Sequence, residues 1–166
     1  MAMRKLIFAL LLAPLLCAPL RAEEALVTYK SMNVDLALAL ARAALTDCQK
    51  RGYQVSVAVV DRSGITQVLL RDRFAGAHTV PTAIGKAWTA VSFHTNTSDL
   101  VTATQAGSPQ AGVRALPGAV VIAGGVMVEA SGALVGAIGV SGAPGGENDE
   151  ACAKAGIAAV RDKLDF

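Results

Sequence analysis

Two imidazoles occur in the 166-residue chain, His78 and His94, and they bracket a single apolar stretch, residues 81–93. Histidine supplies a proton shuttle, a general base or a metal-ligating nitrogen. Two of them flanking one helix suit an axial or distal metal ligand, whereas a lone one is ordinarily a surface hydrogen-bonding residue. Between them, Lys86 interrupts the run Ala-Ile-Gly-Lys-Ala-Trp. Its ammonium reads either as a snorkelling surface charge or as a cation for a ligand carboxylate. Trp88, the sole tryptophan, reads as core or as a pocket wall. Glu147 and Glu150 stand three apart with Asp149 between them. Paired carboxylates could hold iron or a hard cation weakly, although acids in a first helical turn also answer the helix dipole.

Other chemistries lack their partners. Ser141 in Gly-Val-Ser-Gly-Ala falls one residue short of a nucleophile elbow, and it reads as a turn or cap donor. Gly136, Gly139 and Gly142 are spaced G-x-x-G-x-x-G, with the first two inside a strand pattern. A dinucleotide fingerprint needs G-x-G-x-x-G between a parallel strand and a helix, so close backbone approach explains these glycines better. No closely spaced Cys or His ligand set favours structural zinc.

The elements that must position these residues follow from periodicity. Asn33 caps a helix running to about Arg51, with Val34, Ala37, Leu38, Ala41, Leu45 and Cys48 on one stripe. Gly52 ends it. Residues 53–60 and 65–71 alternate as strands around the tight turn Asp61-Arg62-Ser63-Gly64. A loop over 72–80 leads into a helix from Pro81 to Phe93, and Thr97 caps a shorter helix, Ser98 to Thr104. Residues 105–118 are irregular, the kind of long loop that often binds or covers a ligand. Strand character resumes at 119–125, 126–129 and 133–140, before a glycine-rich loop and a helix from about Glu147 to Lys163. The order α-ββ-αα-βββ-α predicts one α+β domain. Its single five-stranded antiparallel sheet is flanked by helices, with the terminal helices sharing a face. The run Ala-Leu-Val-Gly-Ala-Ile-Gly-Val is apolar on both strand faces, which predicts self-association to cover what one helical layer leaves bare.

Residues 1–22 have the layout of a secretory signal: Arg4 and Lys5, an apolar stretch from Leu6 to Leu16, then Ala22 before two glutamates. This predicts cleavage after Ala22, a domain over 23–166, a periplasmic or secreted location and no stable membrane insertion. Removing Arg4, Lys5 and Arg21 from the 15 basic residues leaves 12 against 13 acidic ones, a net charge of −1. No basic stripe with interleaved aromatics remains, which argues against a nucleic-acid partner. Cys17 leaves with the signal, and export permits Cys48 and Cys152 to pair, the other reading being two separate buried thiols.

Three ordered blocks carry a resemblance: Val-Ala-Val-Val-Asp-Arg-Ser-Gly at 57–64, Gly-Lys-Ala-Trp-Thr-Ala-Val-Ser-Phe at 85–93, and Gly-Ala-Ile-Gly-Val-Ser-Gly-Ala at 136–143 followed by Asn-Asp-Glu-Ala-Cys-Ala-Lys-Ala-Gly-Ile. Over residues 30–164 the chain resembles the GlcG/HbpS-like haem-binding family, whose members are also called haem-degrading domains. One member forms the C-terminal part of a corrinoid adenosyltransferase. The resemblance implies a profilin-like fold, homo-oligomers (octamers among them) and, in some members, secretion. Where relatives often read Met-Asp-Gly-Ala, this chain has Arg73-Phe74-Ala75-Gly76-Ala77-His78, and the haem ligand varies within the family.

A haem implied in this way is expected between helix 81–93, segment 95–118 and the sheet. His94 is the first choice for the iron and His78 the second; Thr97 is the hydroxyl alternative. Trp88 and Phe93 would wall the macrocycle, and Lys86 and Arg114 would meet the propionates. The expected function is exported haem or tetrapyrrole binding in sensing, storage or scavenging, a binding protein more than an enzyme. The competing readings are an accessory or sensory protein for a small organic acid and a haem-degrading enzyme.

Overall fold

The computed structural model describes residues 25–165. The expected signal segment 1–22 and its expected cleavage point, with Cys17, lie outside the described residues. Helix α1 spans Val34–Lys50, opened by Asn33, whose Oδ1 accepts the Leu36 amide at 2.8 Å. Strands β1 (Ser56–Asp61) and β2 (Thr66–Arg71) form the expected hairpin, with Asp61 Oδ1 accepting the amides of Ser63 and Ile65 across the turn. Helices α2 (Thr79–Phe93) and α3 (Thr97–Ala103) follow, then a 3-10 turn at Ala111–Ala115. Strands β3 (Gly125–Ala130) and β4 (Ala133–Ser141) form the second hairpin, and α4 (Gly146–Ala159) ends in a 3-10 turn at Arg161–Lys163.

The sheet has four antiparallel strands in the order β2-β1-β4-β3, not five. The fifth was expected at 119–125, where the β-branched run has strand propensity. Tertiary bonding overrides that propensity. The Val120 amide donates to Thr89 Oγ1 at 2.8 Å, so this segment lies against α2 instead of lengthening the sheet.

Register decides what each face buries. Val57 pairs with Val140 and Val59 with Ile138, placing these four on the face packed by α1 and α4. Val60 pairs with Ala137, and both join Ala87, Ala90 and Val91 of α2 on the opposite face. Each such fully buried β-branched side chain contributes roughly 1.5–3 kcal/mol. Here Gly139 has a definite task, because a Cβ at that position would sit 2.1 Å from the Ala83 carbonyl oxygen. Its bareness lets α2 lie directly on β4. Two helical layers therefore cover β4, which removes the reason given above for self-association.

The α1 stripe is rotated from the one expected. Leu40 and Ala44 are buried along with Ala37, Ala41 and Cys48, while Val34 is exposed. The buried face, which keeps Cys48, joins it to Cys152 on α4 in a disulfide with a Cα–Cα distance of 5.5 Å. The terminal helices thus share one face and a covalent bond. Among the described residues no helix is long and apolar enough to cross a membrane.

Candidate functional site

Helix α2 sets the geometry of the expected site. His78 occupies its N-cap position without a side-chain capping bond, and His94 its C-cap, in left-handed backbone at φ 50°. The 15-residue helix between them puts them about 24 Å apart, so one iron can take at most one of them from a single chain. Both rings are exposed, and neither has a hydrogen-bond or ion-pair partner among the described residues. Trp88 is half-buried, its ring lying against Gly64 of the first hairpin turn and near Gly118.

The other expected ligand contacts are already committed inside the fold. Lys86 is 1% exposed and neither snorkels nor faces a ligand. Its Nζ donates to Asp149 Oδ2 at 2.8 Å and to the Val140 carbonyl at 2.9 Å. Asp149 Oδ1 in turn accepts the Ala143 amide at 2.9 Å. Burial raises the Asp149 carboxyl above its ordinary range, against the hydrogen bond and charge of Lys86. Thr97 does not cap α3, because its Oγ1 accepts the Gly125 amide at 2.8 Å and braces the edge strand β3. Asn96 Oδ1 takes the Met127 amide in the same way. Both side chains satisfy amides on a strand that has no further neighbour. Arg114 donates from Nε to the Thr104 carbonyl and from Nη2 to that of Val101, closing the C-terminal end of α3. The space expected between α2, segment 95–118 and the sheet holds Thr89 and Thr97, both fully buried.

Glu147 is exposed, whereas Glu150 is mostly buried and pairs with Lys154 at 2.6 Å. A cation at Glu150 would have to displace that ammonium. Among the described residues no three His, Cys, Asp or Glu side chains gather as a metal cluster. A groove of about 400 Å³ runs beside Glu147, bounded by Ser98, Val101, Ile122 and Ala123.

Two side chains without an assigned role also emerge here. Phe74 is 78% exposed, and the Arg73 guanidinium lies 5.7 Å from its ring centroid. The sequence signal was an aromatic residue in an otherwise polar, glycine-containing loop. The partnership of Lys86 with Asp149 had a weaker signal, a lysine inside an apolar helix and an acid among several.

Fold and side-chain placement together define a single-sheet α+β module whose two imidazoles, unpartnered among the described residues, sit at the two ends of one helix. Its family follows from comparison with known proteins. Residues 32–158 match the family described as "Haem degrading protein HbpS-like", and the chain belongs to that family. It is 41% identical to a crystal structure of Streptomyces reticuli HbpS bearing two glutamate-to-aspartate substitutions, with a TM-score of 0.77, covering 86% of this chain and 97% of the other. A structure described as a PduOC:heme complex is 30% identical, with a TM-score of 0.73, covering 78% of this chain and 95% of that one. The corrinoid adenosyltransferase PduO of Citrobacter freundii is 34% identical over 123 residues, 73% of this chain. The chain spans 36% of that enzyme's length.

Proposed function

We propose that this chain is an exported haem-binding protein acting in haem sensing, storage or scavenging. The observation that carries this reading is an exposed imidazole, unpartnered among the described residues, at an end of α2 in a chain of the HbpS-like family. The haem complex of the related PduOC domain supports it. The residues present fit the group: an imidazole for one axial position, an exposed aromatic ring and an arginine that is not held by the core. Haem, once bound, supplies a redox-active iron. The chain contributes an axial nitrogen, an apolar seat and a cation for the propionates.

Titration of the mature protein with haemin tests the reading. Saturable growth of a Soret band at one haem per site supports it; unsaturated, linear absorbance growth overturns it in favour of a non-haem ligand. Loss of the band with a reductant and dioxygen as oxidant, with release of a bilin, would assign degradation in place of storage.

Export is supported by the Cys48–Cys152 bond, since disulfides persist in oxidising compartments. Mass spectrometry of the full-length product after expression with a secretion pathway tests it, the expected new N-terminus being Glu23. Self-association is supported by the edge strand β2. Leu69 pairs with Ala58 on the α2 side of the sheet yet is 40% exposed, and the neighbouring Ile65 is 66% exposed. Sedimentation giving only a monomer at micromolar concentration would sink that part.

A further inference from the structure

We infer that the loop joining β2 to α2, residues 72–78, is the tetrapyrrole platform, with His78 ligating the iron, Phe74 walling the macrocycle and Arg73 meeting a propionate. The assignment rests on the haem-binding reading above and names its site.

The loop is fixed at its base. Asp72 is buried, its Oδ2 accepting the Val55 amide at 3.1 Å and its Oδ1 accepting Gln49 Nε2 at 2.6 Å. Ala75 is buried, and its carbonyl accepts from the Arg71 guanidinium. The Gly76 carbonyl accepts both the amide of Thr79, at 3.0 Å, and its hydroxyl, at 2.7 Å. That hydroxyl is itself 2.7 Å from Ser56 Oγ of β1. A loop tied down at this many points does not need to be ordered when a ligand arrives.

On that fixed base the exposed groups are a phenyl ring, a guanidinium and an imidazole. These match the three chemistries of a haem: an apolar macrocycle, anionic propionates and an iron with a vacant axial position. Gly76 makes the arrangement possible. A Cβ there would lie 2.7 Å from Cε1 and 2.8 Å from Nδ1 of His78, but 3.8 Å from Nε2. The imidazole occupies the space that a side chain would fill, with Nε2 farther from Gly76 than Cε1 and Nδ1 are.

The other end of α2 offers less. His94 is followed by Thr95 and preceded by a half-buried Phe93, and no lysine or arginine occurs in residues 87–113. Arg114, the next cation along the chain, is held by the carbonyls of α3.

The test compares haemin with metal-free protoporphyrin IX on the mature wild-type protein and on Phe74→Ala, His78→Ala, Gly76→Ala and His94→Ala. All four variants alter exposed positions, and far-ultraviolet dichroism verifies each fold. Phe74→Ala is expected to weaken both porphyrins by about tenfold or more, the effect of losing one buried aromatic side chain. His78→Ala and Gly76→Ala should shift the haemin Soret maximum and weaken haemin, while leaving the metal-free porphyrin within about twofold, because only iron uses the nitrogen. His94→Ala should match wild type with both. A Soret shift in His94→Ala with none in His78→Ala would overturn the site and leave haem binding intact. Absence of saturable haemin binding by wild type would instead overturn the haem reading itself.

Discussion

Lys86 of α2 and Asp149 of α4 meet at 2.8 Å in the interior, joining the helix on one face of the sheet to a helix on the other. A buried pair of this kind costs desolvation on both sides, and the partial return depends on each charge keeping its partner. Lys86→Met strands the Asp149 carboxylate and should destabilise the fold by about 3–5 kcal/mol, whereas Lys86→Met with Asp149→Leu should recover much of the loss. Urea denaturation of the two variants and wild type checks this. Equal stability of the single and double variants would show that the two side chains are not coupled.

Asp149 also predicts a pH dependence. Its carboxyl is raised above 3.8 because burial outweighs the attraction of Lys86. The folded state therefore holds a proton at pH values where the unfolded chain has released it. This contribution to stability is complete below the unfolded value and is lost as pH rises through the folded one. Wild type should lose stability relative to Asp149→Asn as pH rises from below 3.8 through the raised folded-state value. Denaturation midpoints across that range provide the measurement; a gap that moves the other way would mean that Lys86 dominates.

The disulfide closes a loop of 104 residues in sequence separation. Chain entropy for a loop of about a hundred residues gives roughly 4.7 kcal/mol, and measured losses run about 2–5 kcal/mol. Replacing Cys48 and Cys152 by alanine together should lower stability within that range. In the oxidised wild type, thiol titration under denaturing, non-reducing conditions should find neither cysteine.

Thr97→Val keeps the shape of the side chain and removes the acceptor of the Gly125 amide. A buried amide left unpaired costs about 1–3 kcal/mol, and the effect should be local to β3. Hydrogen exchange provides the readout, with faster exchange at Gly125 and Val126 and unchanged rates in β1. Uniform acceleration throughout the sheet would mean that Thr97 supports the whole fold instead of one edge.

Much of this architecture is legible in local chemistry. Asn33 marks the start of α1, Asp61 to Gly64 mark the first turn, and Pro81 with the apolar run after it marks α2, whose observed start lies two residues earlier, because each signal acts within a few residues. The strand expected at 119–125 fails because Thr89, 31 residues away in sequence, takes the Val120 amide. The candidate site was less readable for the same reason. Lys86 and Asp149 are 63 positions apart, and Thr97 and Gly125 are 28 apart. Periodicity identifies the face on which such a residue lies but not the polar group awaiting it there. The two histidines were legible as exposed helix ends because nothing distant claims them.

Both sulfurs of the bond between the first and last helices have zero solvent exposure. A polypeptide is made from its amino end, so Cys48 must wait for 104 further residues before its partner exists. During that interval it is an unpaired thiol, open to capture by any passing small disulfide. Once α4 has docked, small reductants in the surroundings meet no exposed cysteine sulfur among the described residues. The bond is therefore a record of the oxidant present when the chain folded, and later changes in the medium leave that record unaltered until the protein opens.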